Sequence, residues 1–325
     1  MSSNLDAAVL VGIETNYGEA VALTRGYEAE ADSFTIETEQ LESVGLRAGQ
    51  ETIRSDRRKV IELGGEGTIG MAVLDSGNGL IMQAMLGTTS GPTQIDATTA
   101  YDSAFTSDSA GPSDSFTIQV QRPDTYDGTI RSFTHHGCMI KDWSLTQGVN
   151  EYLQTEFNFD FEEVETTTAA GTPSYPANTS PFDWTQCSVT IDGSPVDVTS
   201  FDLSADLGLK TDRYQLRSSN LKKQPVRGAV PTYEGTIEAE FQDTDLYDLF
   251  IAGAPVEIVA TWTGDVIEGA NSASLVVTLP ACQFNGDSPA ASLDDVAMIS
   301  LPFKALDNGT DPTVTVAVVS TDTAL

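Results

Sequence analysis

Three groups of residues have types and spacings that can do chemistry. Gly65-Glu66-Gly67-Thr68-Ile69-Gly70 matches G-x-G-x-x-G, a phosphate-cradling pattern. That chemistry needs a helix N-terminus directly after the glycines, where free N–H groups meet the pyrophosphate. Here Met71-Ala72-Val73-Leu74 reads as a strand and Glu66 would repel a phosphate, so nucleotide binding is not expected. His135, His136 and Cys138 form the second group and include both histidines of the chain. On a strand His136 and Cys138 share a face while His135 points away. That falls short of the three or four converging ligands of a zinc site, and the cysteine reads as a buried small hydrophobe and not as a ligand. Third, 48 acids put carboxylate pairs throughout the chain, so neither Glu162-Glu163 nor Asp294-Asp295 stands out as an acid–base pair. Two adjacent histidines give a Ser-His-Asp arrangement little to build on. Trp143, Trp184 and Trp262 are dispersed and offer no sugar-binding face. The expectation is a protein that is not an enzyme, with no cofactor and no metal.

The elements that carry these residues read as strands. The 325-residue chain is rich in Gly, Thr, Ser, Asp and Val, and amphipathic helical patterns are scarce. Glu156-Phe157-Asn158-Phe159-Asp160-Phe161-Glu162 is the clearest case, three Phe alternating with polar residues. The formal charge of −32 disfavours ordinary nucleic-acid binding, which rests on neutralising phosphates with Lys and Arg. It suits a protein working in high salt, or one past which DNA must slide without sticking. Cys138, Cys187 and Cys282 are widely spaced and imply no disulfide framework. The first residues lack the basic start of a signal peptide, and no apolar run is long enough to span a membrane. A soluble protein made in the cytoplasm is the expectation.

The chain resembles itself at offsets of 163 to 168 residues. Ser33-Phe34-Thr35-Ile36 is matched by Ser200-Phe201-Asp202-Leu203, and Gly45-Leu46-Arg47 by Gly208-Leu209-Lys210. Glu66-Gly67-Thr68-Ile69 recurs as Glu234-Gly235-Thr236-Ile237, and the segment 79–87 resembles 245–253. Cys138 with Cys282, and Phe157 with Leu301, fit a smaller offset of 144, explained by a longer loop at about 88–114. Each copy reads as a strand (Ser33–Gln40; Val196–Asp206), a long loop, further strands and one short helix (Gly79–Leu86; Thr244–Ile251). In the first copy Arg58–Leu63 and Thr68–Leu74 read as two strands, as do Thr129–Ile140 and Trp143–Gly148. The expected division is 1–165, a proline-containing linker 166–184, and 185–325.

Eleven of the sixteen basic residues fall in the two long loops. Arg47, Arg54, Arg57, Arg58 and Lys59 lie in or beside 41–58; Lys210, Arg213, Arg217, Lys222, Lys223 and Arg227 lie in 207–228. An acidic body with basic loops complements itself head to tail, and such contacts build open, filament-like assemblies. Two solvated basic loops would also fit. A nucleic-acid patch fits poorly, because Tyr214 is the only aromatic residue between Lys210 and Arg227. The acidic strand faces Glu37/Glu39, Glu156/Asp160/Glu162 and Glu238/Glu240 read either as the lining of a channel or as ordinary solvated faces.

The run Gly12-Ile13-Glu14-Thr15-Asn16-Tyr17-Gly18-Glu19-Ala20, the stretch from Ser33 through Gln50 to Arg57, Ser115–Val120 and His136–Leu145 together resemble tail tube proteins. These are the tube subunits of long-tailed, siphovirus-like phages and archaeal tailed viruses. The resemblance implies a mainly β fold, with a sandwich or barrel-like module, one helix and a long extended loop. It implies rings of six modules, stacked into a hollow tube whose acidic lumen conducts viral DNA during ejection without specific binding. The long loop would reach the neighbouring ring, which assigns the basic residues of 41–58 and 207–228 to inter-ring contact. Two tandem modules per chain would make the ring a trimer with pseudo-sixfold symmetry in place of a hexamer. Implied partners are further copies of the chain and other tail proteins: tape measure, tail terminator and distal tail protein. The implied place is the virion tail, assembled in the host cytoplasm, with no membrane partner. The acidity, with more Arg than Lys, points to a haloarchaeal or actinobacterial host. An acidic β-sandwich surface or adhesion protein of a halophile is the alternative.

Overall fold

The computed structural model describes residues 6–23, 25–45, 47–107, 114–217, 219–242, 244–285 and 296–325. Residue 46, part of the expected loop 88–114 and the pair Asp294-Asp295 lie outside the described residues. In chain order the first half contains β1 (Ala8–Ile13), β2 (Arg25–Tyr27), β3 (Ala31–Glu42), β4 (Arg58–Ala72), α1 (Gly79–Leu86), β5 (Gly87–Gln94), β6 (Tyr101–Ser107), β7 (Phe116–Pro123), β8 (Ile130–Gly148), β9 (Gln154–Phe161) and β10 (Glu163–Glu165). The second contains β11 (Cys187–Ile191), β12 (Ser194–Val196), β13 (Val198–Asp206), β14 (Leu209–Lys210), β15 (Val226–Arg227), β16 (Thr232–Glu240), α2 (Asp245–Ala252), β17 (Val256–Glu268), β18 (Asn271–Phe284), β19 (Met298–Ala305) and β20 (Thr315–Ser320).

The fold is mainly β, with antiparallel sheets packed as a sandwich. One pairing scheme occurs twice. β1 pairs with β2 and β7, β3 with β4, β4 with β9, and β8 with β7, β9 and β10. In the same order β11 pairs with β12 and β17, β13 with β16, β16 with β19, and β18 with β17, β19 and β20. Two further ladders join the halves. β8 runs antiparallel to β13 over Asp142–Gly148 against Ser200–Asp206, and β6 pairs with β20. A continuous layer β3-β4-β9-β8-β13-β16-β19 results. Its inner face supplies Ile69, Phe157, Phe159, Phe161, Trp143, Leu145, Phe201, Leu203, Ile237, Leu301 and Phe303 to one hydrophobic core.

Period-2 alternation drives this arrangement, since apolar residues at every second position need a second layer to cover them. Several expected elements change. The two strands expected in 58–74 are one, because Gly65, Gly67 and Gly70 sit in a ladder flanked by β3 and β9, and Gly64 pairs with β3. The two expected in 129–148 are likewise one, with an irregularity between Ile140 and Asp142. The expected loop at 88–114 contains the hairpin β5–β6, held by the partners β6 finds on β20 and not by the propensity of its Thr, Ser and Gly.

The repeat also shifts in register. Gly65 pairs with Ile36 and Phe161; Gly235 pairs with Leu203 and Phe303. A Cβ on Gly65 would stand 2.3 Å from the Phe161 ring and 2.2 Å from the Thr35 carbonyl oxygen. On Gly235 it would stand 2.4 Å from Phe303 and 2.1 Å from the Asp202 carbonyl oxygen. Gly235 therefore corresponds to Gly65 and not to Gly67. A two-residue slip leaves every side chain on its own face, so the sequence match could not detect it. Gly65→Ala and Gly235→Ala are each expected to cost about 1–3 kcal/mol of folding stability by overpacking, measured by chemical denaturation. Gly70, with open space around its Cα, should accept alanine at much lower cost.

Candidate functional site

The outer face of the seven-stranded layer carries acids at alternate positions. Thr35, Glu66 and Asp160 share one rung; Glu156, Ser144, Ser204, Glu234 and Lys304 share another; Ser200, Glu238 and Ser300 a third. Glu37, Glu39, Glu156, Glu238 and Glu240 are exposed on this face, which crosses from one half to the other through the β8–β13 ladder. Asp142, Asp202, Glu62 and Glu66 belong to it as well. Sequence reasoning did not single them out, although their period-2 spacing within their own strands carried the signal. Lys141 lies 2.8 Å from Glu66 and Lys304 lies 2.6 Å from Glu234, so these cations are neutralised where they stand. The Asp202 carboxyl is pushed above its usual range by burial and then by the nearby charges of Glu238 and Glu151.

Asp160 and Lys222 depart from expectation. Both side chains are buried and they form an ion pair, so Asp160 does not face open solvent and Lys222 is not free for an intermolecular contact. The reason is the course of the loop 207–228. It does not project; it lies back across β4 of the first half. Leu63 N–H donates to the Asn220 carbonyl at 3.0 Å, and the Tyr214 hydroxyl donates to the Leu63 carbonyl at 3.0 Å. Arg217 stands 3.8 Å from Glu162 and also donates to the Leu221 and Lys222 carbonyls. Arg213 donates to the Gln224 carbonyl, Lys210 pairs with Asp212 at 2.7 Å, Lys223 N–H donates to the Arg213 carbonyl, and Arg227 sits half-buried in β15. Beneath this loop is a cleft of about 300 Å³ lined by Glu37, Glu39, Glu62, Glu66, Asp160 and Tyr214, among others.

The loop between β3 and β4 behaves differently. It sits at the tip of a long hairpin and almost all of its residues are exposed. Arg54 pairs with Asp56 at 2.7 Å and Arg58 with Glu42 at 3.0 Å. Arg47, Arg57 and Lys59 are exposed and form no ion pair among the described residues. The two basic loops occupy the same place in the pairing scheme, yet one is committed within the chain and the other is open.

The remaining chemical candidates serve structure. The glycines of 65–70 are strand residues paired on both edges, with no helix after them. His135 is wedged between the rings of Phe34 and Phe161, and burial lowers its pKa to about 4, so it is neutral. Cys138 and Cys282 are buried, each opposite the first residue of the preceding strand, and burial pushes the Cys282 thiol up to about 12. No cluster of three or more His, Cys, Asp or Glu among the described residues could hold a metal ion. Glu14, which sequence reasoning passed over as a site, accepts from the Gly18 and Gly137 amides and the Ser115 and Thr117 hydroxyls at 2.6–3.0 Å. It fixes the end of β1 to β7 and β8. No helix among the described residues is long and apolar enough to cross a membrane.

A family model described as phage tail tube protein matches residues 4–305. The chain belongs to that family. The tail tube family is a structural one and not a family of enzymes, which fits a site made of a charged surface and open edges. Membership makes this tail tube protein a component of the virion tail that assembles with its own kind into a tube. It displaces the adhesion-module alternative. No curated protein matches the chain.

Burial pushes the Asp160 carboxyl up to about 6, against the pull of Lys222. A carboxyl whose pKa is higher in the folded state contributes stability at pH below its ordinary range and loses it as pH climbs through about 6. Lys222→Ala removes the opposing cation and raises that pKa further. The substitution is expected to cost about 3–5 kcal/mol at pH 8, and less at pH 5, where the carboxyl takes up a proton. Urea denaturation at the two pH values measures this, and adding Asp160→Asn should recover most of the loss. A cost independent of pH would show that Asp160 is not the group left unpaired.

Proposed function

We propose that this tail tube protein carries two tandem tube modules, residues 1–165 and 185–325, joined by the linker 166–184. Three chains would then supply six modules to a ring of pseudo-sixfold symmetry. The observation that carries this reading is the recurrence of one strand-pairing scheme, helix included, in both halves. Edge-to-edge continuity through β8–β13 supports it further, because a sheet that passes from module to module inside a chain suits one that passes between chains.

In this reading rings stack into the tail tube of a siphovirus-like phage or archaeal virus. The acidic outer face, with Glu37, Glu39, Glu156, Glu238 and Glu240, lines the bore. Carboxylates held there repel the phosphates of DNA, so the genome passes during ejection without binding. The tape measure, tail terminator and distal tail proteins are the further partners, and assembly takes place in the host cytoplasm. The open β3–β4 tip, with Arg47, Arg57 and Lys59 available, supplies the inter-ring contact, and the loop 207–228 is spent within the chain.

Two experiments test this. Purified protein viewed by negative-stain electron microscopy should form tubes of uniform bore. Arg47→Glu, Arg57→Glu and Lys59→Glu combined should leave rings that no longer stack, with the fold unchanged, because these side chains lie outside the core. Normal tubes from that variant would refute electrostatic stacking. Separately, Glu156→Lys, Glu238→Lys and Glu240→Lys should yield tubes that retain duplex DNA, with affinity falling steeply as salt rises. Tubes that remain indifferent to DNA would mean this face does not line the bore.

A further inference from the structure

The two helices occupy the same place in the repeated scheme but differ in what covers them. α1 buries Leu80, Ile81, Met82, Ala84, Met85 and Leu86. Part of its cover comes from the second half of the chain. Gly79 and Met82 share a tight cleft with Val318 and Leu325, and the Gly77 amide donates to Asp322 at 2.6 Å. α2 has no fully buried residue, and β18 is its principal packing partner. Met85 of α1 is 3% exposed, whereas Ile251, one residue from the end of α2 as Met85 is of α1, is 63% exposed. An open groove of about 640 Å³ runs beside α2, lined by Ile191, Val196, Phe241, Leu246, Leu249 and Ile299, among others.

A second asymmetry matches the first. β13 is paired on both edges, by β16 and by β8 of the first half. Its counterpart β3 pairs only with β4 among the described residues, leaving an open edge along a twelve-residue strand. Leu203 of β13 is 1% exposed, while Ile36, at the corresponding rung of β3, is 52% exposed. An edge strand with unpaired backbone and an apolar side chain beside it is a template for another chain.

Inside the chain, then, the second half covers α1 and the first half covers the edge of β13. Among the described residues neither cover exists for α2 and β3. We propose that the junction between the halves recurs between chains, with α2 and its groove on one copy packing against the first half of a second copy at its β3 edge. Such a contact is heterologous, so each chain offers one side of it at each end and repetition closes a ring. This inference rests on the ring reading above and names the surfaces that close it; the stacking tip 43–57 is not part of it.

The test uses the full chain with Ile36→Asp or Ile251→Asp, both on exposed positions, and reads mass photometry with thermal unfolding. Each variant should melt as the wild type does and form rings with affinity weakened about tenfold or more, as expected for loss of an apolar contact at an interface centre. Mixing the two variants gives a sharper readout. The intact α2 side of one can meet the intact β3 side of the other, but no second good junction remains, so a one-to-one dimer should appear and no ring. Wild-type rings together with variants that assemble normally, or a mixture that yields no dimer, would overturn this contact while leaving the ring reading in place. A wild-type chain that stays monomeric would overturn the ring reading itself.

Discussion

The antiparallel ladder between β8 and β13 is the interaction on which the rest depends. It joins the two halves of the chain in one continuous sheet and gives the edge of β13 a partner. Unpaired backbone groups are costly when buried, so a strand whose inner face carries Phe201, Leu203 and Ala205 into the core cannot leave that edge empty. The nineteen-residue β8 serves both layers: its N-terminal part pairs with β7 and β10, its C-terminal part with β9 and β13. Because the ladder fixes register, it also fixes where every outer-face acid lies relative to its neighbours.

Charge is layered on that frame. The outer face gathers carboxylates at period-2 positions, and the cations seated on it, Lys141, Lys304 and Lys222, each stand against a carboxylate. Burying Lys222 with Asp160 carries a desolvation cost, and a buried pair seldom stabilises more than a well-packed apolar pair would. What the pair does provide is position. Together with Tyr214 and Asn220 it holds the loop 207–228 on β4 and ties the two halves a third time, after the β8–β13 and β6–β20 ladders. Two loops at equivalent places have thus taken different work, one as an internal strap and the other as an open tip.

Much of this was legible in the sequence because alternation is strong where one face is buried. Phe157, Phe159 and Phe161 announced β9, the apolar run 79–86 announced α1, and the segments Ser33–Ile36 and Ser200–Leu203 announced β3 and β13, in which Ile36 stands opposite Gly65 and Leu203 opposite Gly235. Composition failed where tertiary partners decide structure. The Thr- and Gly-rich residues 87–107 form a hairpin only because β20 is there to receive it. The match of Glu66–Ile69 to Glu234–Ile237 erred by two residues because identity of face survives such a slip. The site showed the same split. Exposed acids at alternate positions were readable, but nothing local to Lys222 signals that its loop folds back onto a carboxylate 62 residues away in sequence.

The most direct test is a ring-resolution image of assembled tubes by electron cryo-microscopy. The expected result is three chains per ring, with the junction between chains superimposing on the β8–β13 junction within each chain and the acidic face turned to the bore. Six chains per ring, or chains that meet without a continuous sheet, would contradict it.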